Sequence, residues 1–180
     1  MPQVAIRPAV SSDLPALSQI VPSYYTVKVW QMDRGGEEEQ IQVRFREVRL
    51  PREVLVEYPR SLEDIFQEGW LDKDIFLTAS LSSIPVGFAR LALEITSGNL
   101  WVKDLIVRHD LRREGIGTAL LIAVQDYALE RRYRRIMLEM QSKNYPAIQL
   151  AKKLGYEFSG FSDAYFANQD IALFFAQSLR

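Results

Sequence analysis

An α/β fold built on one mixed sheet is what this sequence predicts, on three observations. Segments of strand character alternate with segments of helical character along the whole chain. At the centre, an apolar strand over residues 100–107 passes through the short turn RHDLRREG into an amphipathic helix reaching Ala128. The 180 residues, 48% hydrophobic and 25% charged, suit a single domain over 1–180 with a sizeable core.

The elements follow in order. Residues 4–7 form a first strand, stopped at Pro8. Ser11 or Ser12 caps a helix, with Asp13 near its positive end and Leu14, Leu17, Ile20 and Val21 at helical spacing before Pro22 closes it. Residues 24–32 and 41–50 are rich in β-branched and aromatic side chains and flank the turn DRGGEEE, which makes a β-hairpin. Ser61 with Asp64 three residues on is a capping-box pattern ahead of a short helix ending near Gly69. Strands over 75–81 and 86–95 are joined at 82–85, and 97–99 turns the chain into the central strand. The helix that follows sets Ile116, Ala119, Leu120, Ala123, Val124, Tyr127 and Ala128 on one face. Arg131, Arg132, Arg134 and Arg135 come next, either complementing the helix dipole or meeting an acidic cofactor or partner. A strand over 136–141, a helix over 146–153 and a terminal strand pair about Tyr165 and 171–179 complete the chain. The apolar run Ile171, Leu173, Phe174 and Phe175 suits the core or a homodimer contact.

Composition excludes several classes. A net charge of -1 argues against nucleic-acid or membrane-surface binding driven by bulk charge. With no cysteine there is no disulfide, thiolate nucleophile or zinc-thiolate site, and no His, Asp and Glu cluster has metal-ligand spacing. The one histidine, His109, lies on a turn and has no part in the mechanism. The start, MPQVAIRPAV, lacks a signal-peptide layout, and no apolar run approaches the ~20 residues of a membrane span, so the expected compartment is the cytoplasm.

The central turn carries the chemistry. A strand running through a glycine-bearing turn into a helix leaves the first amides of the helix without partners, and these favour an anion. Gly115 and Gly117 let a ligand lie almost against the backbone, and Arg112 and Arg113 add positive charge, so phosphate or pyrophosphate is the expected guest. A Walker loop would need Gly-Lys-Ser/Thr, and a dinucleotide fingerprint would need a small residue where Leu120 stands.

RREGIGTAL resembles the Arg/Gln-x-x-Gly-x-Gly/Ala pyrophosphate loop of the GNAT N-acetyltransferase superfamily, with Arg112, Gly115 and Gly117 in matching places. Leu105, Ile106 and Val107 upstream, and Asn144, Ala147, Leu154, Gly155 and Tyr156 downstream, extend the likeness over residues 75–156. IVPSYY at 20–25, KDLIV at 103–107, LEMQ at 138–141 and FAN at 166–168 are similar to streptothricin acetyltransferases within that superfamily. The hairpin over 24–50 departs from the family, which commonly has a second helix there.

The resemblance implies a GNAT-like mixed, largely antiparallel sheet flanked by helices, with a splayed central strand pair formed by 100–107 and 136–141. It implies acetyl-CoA (coenzyme A) as cofactor, its diphosphate held by Arg112, Arg113, Glu114, Gly115, Ile116, Gly117, Thr118 and Ala119. The pantetheine arm would lie on Leu105, Ile106 and Val107, with Asn144 either directed at that arm or capping the next helix. The reaction implied is direct attack of an amine on the thioester in a ternary complex, with a small-molecule amine favoured as acceptor. A protein-lysine or N-terminal acetyltransferase, or an acyl-CoA-binding sensor, are the alternatives.

An amine is mostly protonated at neutral pH, so a carboxylate base is expected. Asp104, which interrupts an apolar strand, is the first candidate and Glu139 the second; each is equally suited to accepting structural hydrogen bonds. A backbone amide near Ile106 would meet the oxyanion. Many family members protonate the departing thiolate with a tyrosine seven residues beyond the motif asparagine, where this chain has Ala151. Tyr165, or Tyr145, would stand in. A thiol pKa near ~8.5 limits the loss without an acid to ~10²- to 10⁴-fold.

Overall fold

The structure is a computed structural model that describes residues 3–94 and 98–179. Met1 and Pro2, Ile95 at the end of an expected strand and Ser97 of an expected turn lie outside the described residues.

A seven-stranded sheet is the frame. Its strands are β1 (Val4–Pro8), β4 (Ile75–Leu81), β5 (Ile84–Glu94), β6 (Asn99–Val107), β7 (Arg135–Gln141), β8 (Glu157–Ser162) and β9 (Ala172–Ser178). They lie side by side in the order β1-β4-β5-β6-β7-β9-β8. Only β6 and β7 pair in parallel; the other described pairs are antiparallel, as expected for a largely antiparallel mixed sheet. β2 (Tyr24–Gly35) and β3 (Gln42–Val56) form a separate hairpin, longer at both ends than its β-branched cores suggest. The Trp30 amide ties it to the sheet by donating to the Ser142 carbonyl at 2.9 Å.

Two clusters cover the two faces. On one, the helices α4 (Ile116–Glu130) and α5 (Tyr145–Lys153) bury Ile116, Leu120, Leu121, Val124, Ile148 and Ala151 against the sheet. On the other lie α1 (Leu14–Leu17), α2 (Leu62–Ile65) and α3 (Trp70–Lys73), whose Leu17, Ile65 and Trp70 pack with Phe76, Phe88 and Ile106. The period of 2 along β7 explains the division: Ile136, Leu138 and Met140 face α4, so Glu139 and Gln141 face away from it.

Three expected elements differ. The first helix is one turn preceded by a 3-10 turn at Ser11–Asp13, and neither Ser11 nor Ser12 caps it. Asp13 instead folds back, accepting from Arg7 at 2.7 and 2.8 Å and from the Val10 amide at 2.9 Å. Ser61 does cap α2, accepting from the Asp64 amide, but α2 ends at Ile65, and Gly69 starts α3 rather than ending a helix. Tyr165 lies in the loop between β8 and β9, not on a strand. The run Ile171, Leu173, Phe174 and Phe175 belongs largely to β9, which is enclosed between β7 and β8, so it is sheet core.

Candidate active site

The site begins with a β-bulge. Arg90 opposes Asp104 and Leu91 opposes Val102, which leaves Lys103 as an extra residue in β6. A bulge reverses the alternation of faces and bends the strand. Leu100 and Val102 face α4 before it, and Leu105 and Val107 pack toward the same cluster after it, while Ile106 joins the opposite one. Pairing with β7 stops at the same place, with Val102 opposite Leu138 as the last matched residues. The two central strands therefore part from Lys103 onward, opening a V that holds a narrow cavity of about 30 Å³.

The edge of β6 facing the V has a definite register. A Cβ on Gly87 of β5 would lie 2.8 Å from the Ile106 carbonyl oxygen, so the peptide groups of Ile106 face β5. The Val107 carbonyl faces the other way and accepts from Arg112 Nε at 2.9 Å. Alternation then turns the Leu105 and Val107 amides to the V. The Ile106 amide thus faces β5, and the amides near it that face the V are those of Leu105 and Val107.

The turn into α4 matches its expected chemistry in the backbone and departs from it in a side chain. Gly115 caps α4 at φ +86°, and a Cβ there would meet nothing within 4 Å, so the space above it is open to a ligand. Arg113 also has a positive φ, +69°. The first bond of the helix runs from the Ala119 amide to the Gly115 carbonyl, and the amides of residues 113–118 have no hydrogen-bond partner among the described residues. Gly117 answers a different need: a Cβ would lie 3.1 Å from Leu150 Cδ2, so it lets α5 approach α4. Glu114 is exposed and Ile116 buried, so both offer the turn their amides rather than their side chains.

Arg112 turns away from the helix end. Its guanidinium donates to the carbonyls of Val107, Ser23 and Val21, bracing the turn against the segment before the hairpin. Burial lowers its pKa, yet an arginine stays charged, and it has no carboxylate partner among the described residues. Its field therefore still favours an anion nearby.

Beyond the V, on the face away from α4, a chain of alternating charges crosses from β5 to β9. Asp74 accepts from Arg90 at 2.7 Å, and Arg90 also donates to Asp104 Oδ2 at 3.2 Å. Asp104 Oδ1 accepts from the Tyr58 hydroxyl at 2.8 Å and from Arg60 Nη1 at 3.1 Å. Arg60 donates further to the Lys103 carbonyl at 2.9 Å and to Glu139 Oε1, joining β6 to β7 where their own bonding ends. Glu139 Oε2 accepts from Lys103 Nζ at 2.7 Å and from the Tyr165 hydroxyl at 2.9 Å.

Both carboxylate side chains are 0% exposed. Burial works against the charge on Arg60, but Asp104 and Glu139 outweigh it and raise its pKa. Burial, with Asp104 close behind, pushes the Tyr58 hydroxyl well above the usual tyrosine value. Tyr58, Arg60 and Arg90 carry no sequence motif; Asp104, Glu139 and Tyr165 were legible beforehand as candidates, and Lys103 only as part of KDLIV.

The remaining expected residues fall as follows. Asn144 caps α5, its Oδ1 accepting from the Ala147 amide at 3.2 Å, and it also lines the V. Ala151 is fully buried in the main core. Tyr145 lies under Lys28, whose Nζ sits 5.4 Å from its ring, while Tyr165 donates to Glu139, which lines the V. Among the described residues no group of three His, Asp or Glu side chains could hold a metal ion. No described helix is long and apolar enough to cross a membrane.

Comparison with known proteins agrees with this geometry. The sequence pattern of the acetyltransferase (GNAT) family matches residues 41–156. The chain belongs to the GNAT family. Membership makes it an acetyl-CoA-dependent acetyltransferase. It is 26% identical over 162 residues to a streptothricin acetyltransferase of Streptomyces lavendulae, covering 88% of this chain and 84% of that one. The fold is similar to that of nourseothricin acetyltransferase, with a TM-score of 0.83, 21% identity and coverage of 98% and 99% of the two chains. A putative streptothricin acetyltransferase from Bacillus anthracis, solved in complex with acetyl coenzyme A, superposes with a TM-score of 0.79 at 19% identity, covering 99% of each chain.

The family's cofactor fits what the residues offer. The turn has unpartnered amides and open space over Gly115 for a diphosphate, and the V has strand amides for an amide-bearing arm.

Proposed function

We propose that the chain transfers an acetyl group from acetyl-CoA to a primary amine of a small molecule by direct attack. The observation that carries this is the V: it lies between a face with anion-seeking amides and a face with buried carboxylates, so donor and acceptor can enter from opposite sides. The chain has no cysteine for a thioester intermediate, which also favours direct transfer.

The residues divide the work. The amides of residues 113–118 hold the diphosphate, with Arg112 adding charge from behind. Bound acetyl-CoA supplies an activated acyl group. The Leu105 and Val107 amides point into the V as donors for an acyl oxygen. Glu139 is favoured over Asp104 as base, because Asp104 is closed in by Tyr58, Arg60 and Arg90. Glu139 is reached from the surface through Tyr165, 37% exposed: as the phenol oxygen takes a proton from the amine, its own proton passes to Oε2. Asp104 then acts as a positioning residue for Arg60.

A small acceptor is supported by the name of the Streptomyces relative and by a second cleft of about 780 Å³ between the hairpin and the ends of β7 and β9. That volume is typical of small-ligand sites. Trp30, Met32 and Val48 give it apolar walls, and Glu57 with the Lys143–Asp170 ion pair a polar end. Gln141, donating to the Glu57 carbonyl at 3.3 Å and to Asp170 at 2.7 Å, is the partition between this cleft and the V.

The test is thiol release from acetyl-CoA over a panel of polyamines, aminoglycoside-like amines and lysine peptides. Release with small amines and not with peptides is expected. Release with peptides alone, or binding of acetyl-CoA without release for any amine, overturns the reading.

A further inference from the structure

Lys103 is the extra residue of the β6 bulge, and its ammonium sits in a box built for such a group. Nζ donates to Glu139 Oε2 at 2.7 Å and to the Tyr165 hydroxyl at 3.3 Å. It lies 5.1 Å from the centre of the Trp101 ring and 5.9 Å from that of Tyr165, within range of cation–π attraction. The box is rigid: Phe174 packs edge-on against Trp101 and against Tyr165 at 5.4 and 5.6 Å. It opens on the V, which Lys103 and Glu139 both line.

The occupant can be reached by solvent where its carboxylate partner cannot. The Lys103 side chain is 27% exposed, whereas that of Glu139 is 0% exposed. Burial works against its charge, but Glu139 and Tyr165 prevail and raise its pKa, so the box holds a cation at neutral pH. A protonated amine is no nucleophile, and Lys103 is thus protected from the enzyme's own acetyl donor.

We propose that Lys103 is an internal stand-in for the acceptor: its ammonium fills the subsite of a substrate alkylammonium, which displaces it from Glu139, Tyr165 and Trp101. This rests on the reading of the protein as a small-amine acetyltransferase. Exchanging one ammonium for another leaves the alternating charges of Arg60, Glu139 and the box balanced. The incoming amine is delivered to the group that takes its proton, while Lys103 swings to solvent. The box selects primary alkylamines, whose three N–H donors and compact charge match those of lysine. The loop after β8 joins the two subsites: Tyr165 closes the box and Asp170 lines the larger cleft.

The test uses 1,5-diaminopentane as the probe, titrated calorimetrically into the protein without cofactor. An internal competitor present about nine-tenths of the time weakens apparent affinity about tenfold. Lys103→Met is expected to bind the probe about tenfold more tightly and to lower the amine KM in step, with kcat little changed. Lys103→Gln should do the same, and guards against a folding defect in the first variant. Adding Glu139→Gln should abolish the gain. Unchanged or weaker binding in both lysine variants overturns the proposal and makes Lys103 a structural prop. Tighter binding by a protein that releases no thiol with any amine keeps the ammonium subsite and overturns the transferase reading instead.

Discussion

Arg60→Met removes a side chain that bonds to both arms of the V. Arg60 donates to the Lys103 carbonyl and to Asp104 on β6, and to Glu139 on β7. Its loss leaves two carboxylates at 0% exposure each short of a cationic donor. Leaving a buried charge unpaired costs about 3–5 kcal/mol; because Asp104 keeps Arg90, Glu139 keeps Lys103 and Arg60 is itself 22% exposed, no more than the lower end, about 3 kcal/mol, applies. For a chain of this size that is a fall in Tm of roughly 6–12 °C.

The informative comparison is with Arg60→Met/Asp104→Asn/Glu139→Gln, in which both carboxylates are neutralised too. Removing both sides of a buried polar contact is far less costly than removing one, so the triple variant should regain most of the loss in urea denaturation. Both variants should be nearly inactive, since Glu139 is lost or displaced. A loss below about 1 kcal/mol for the single variant, or no recovery in the triple, would refute the view that Arg60 holds the network together.

Further outcomes follow from other parts of the structure. Gly115→Ala places a side chain at φ +86°, a conformational cost of about 1–2 kcal/mol that urea denaturation should show, and its Cβ takes up space open to the diphosphate, so coenzyme A affinity by calorimetry should fall by about tenfold or more. Tyr165→Phe should lower kcat by at least about tenfold with little change in acetyl-CoA KM, as stopped thiol release would show. Burial first, and Glu139 second, raise the Tyr165 pKa, so wild-type rate should show no descending limb from this phenol below about pH 10. Asp13 has its pKa lowered, chiefly by hydrogen bonds from Arg7 with burial opposing; it therefore stabilises the fold above the ordinary carboxylate pKa of about 4 and ceases to as pH falls through its lower folded value. Asp13→Asn should cost about 1–2 kcal/mol at pH 7, and the gap to wild type should narrow in denaturation as pH falls below about 4; a gap independent of pH would refute this.

What was legible in the sequence was what is local. The turn from β6 into α4 can be read because glycine spacing and helix-end amides act within a few residues, and β4, β5 and β7 because each is a short segment of mostly apolar residues. The capping of α2 by Ser61 is of the same kind. The first helix misled because Ser11 and Ser12 look like caps, while the partner that decides the geometry, Arg7, acts on Asp13 from the preceding strand.

The bulge at Lys103 was illegible for a different reason. It appears only when β6 is laid against β5, although the apolar residues Leu100 and Val102 followed by Leu105 and Val107 skip one step of the alternation, which is its trace in the sequence. Arg60 and Tyr58 meet Asp104 from more than forty residues away in the chain, so no spacing rule could have named them. Arg112 shows the limit of reading charge from a motif: its position matched, yet its donors go to Val107, Ser23 and Val21.

The claim on which all else depends is that the backbone of the turn and the open edge of β6 hold coenzyme A. Amide shifts followed by NMR during titration with coenzyme A test it most directly. Large, saturable changes at Gly115, Ile116, Gly117 and Thr118, and at Leu105 and Val107, with little change at Ile106, are the expected result. Shifts that leave those amides unmoved while others on the surface respond would contradict it.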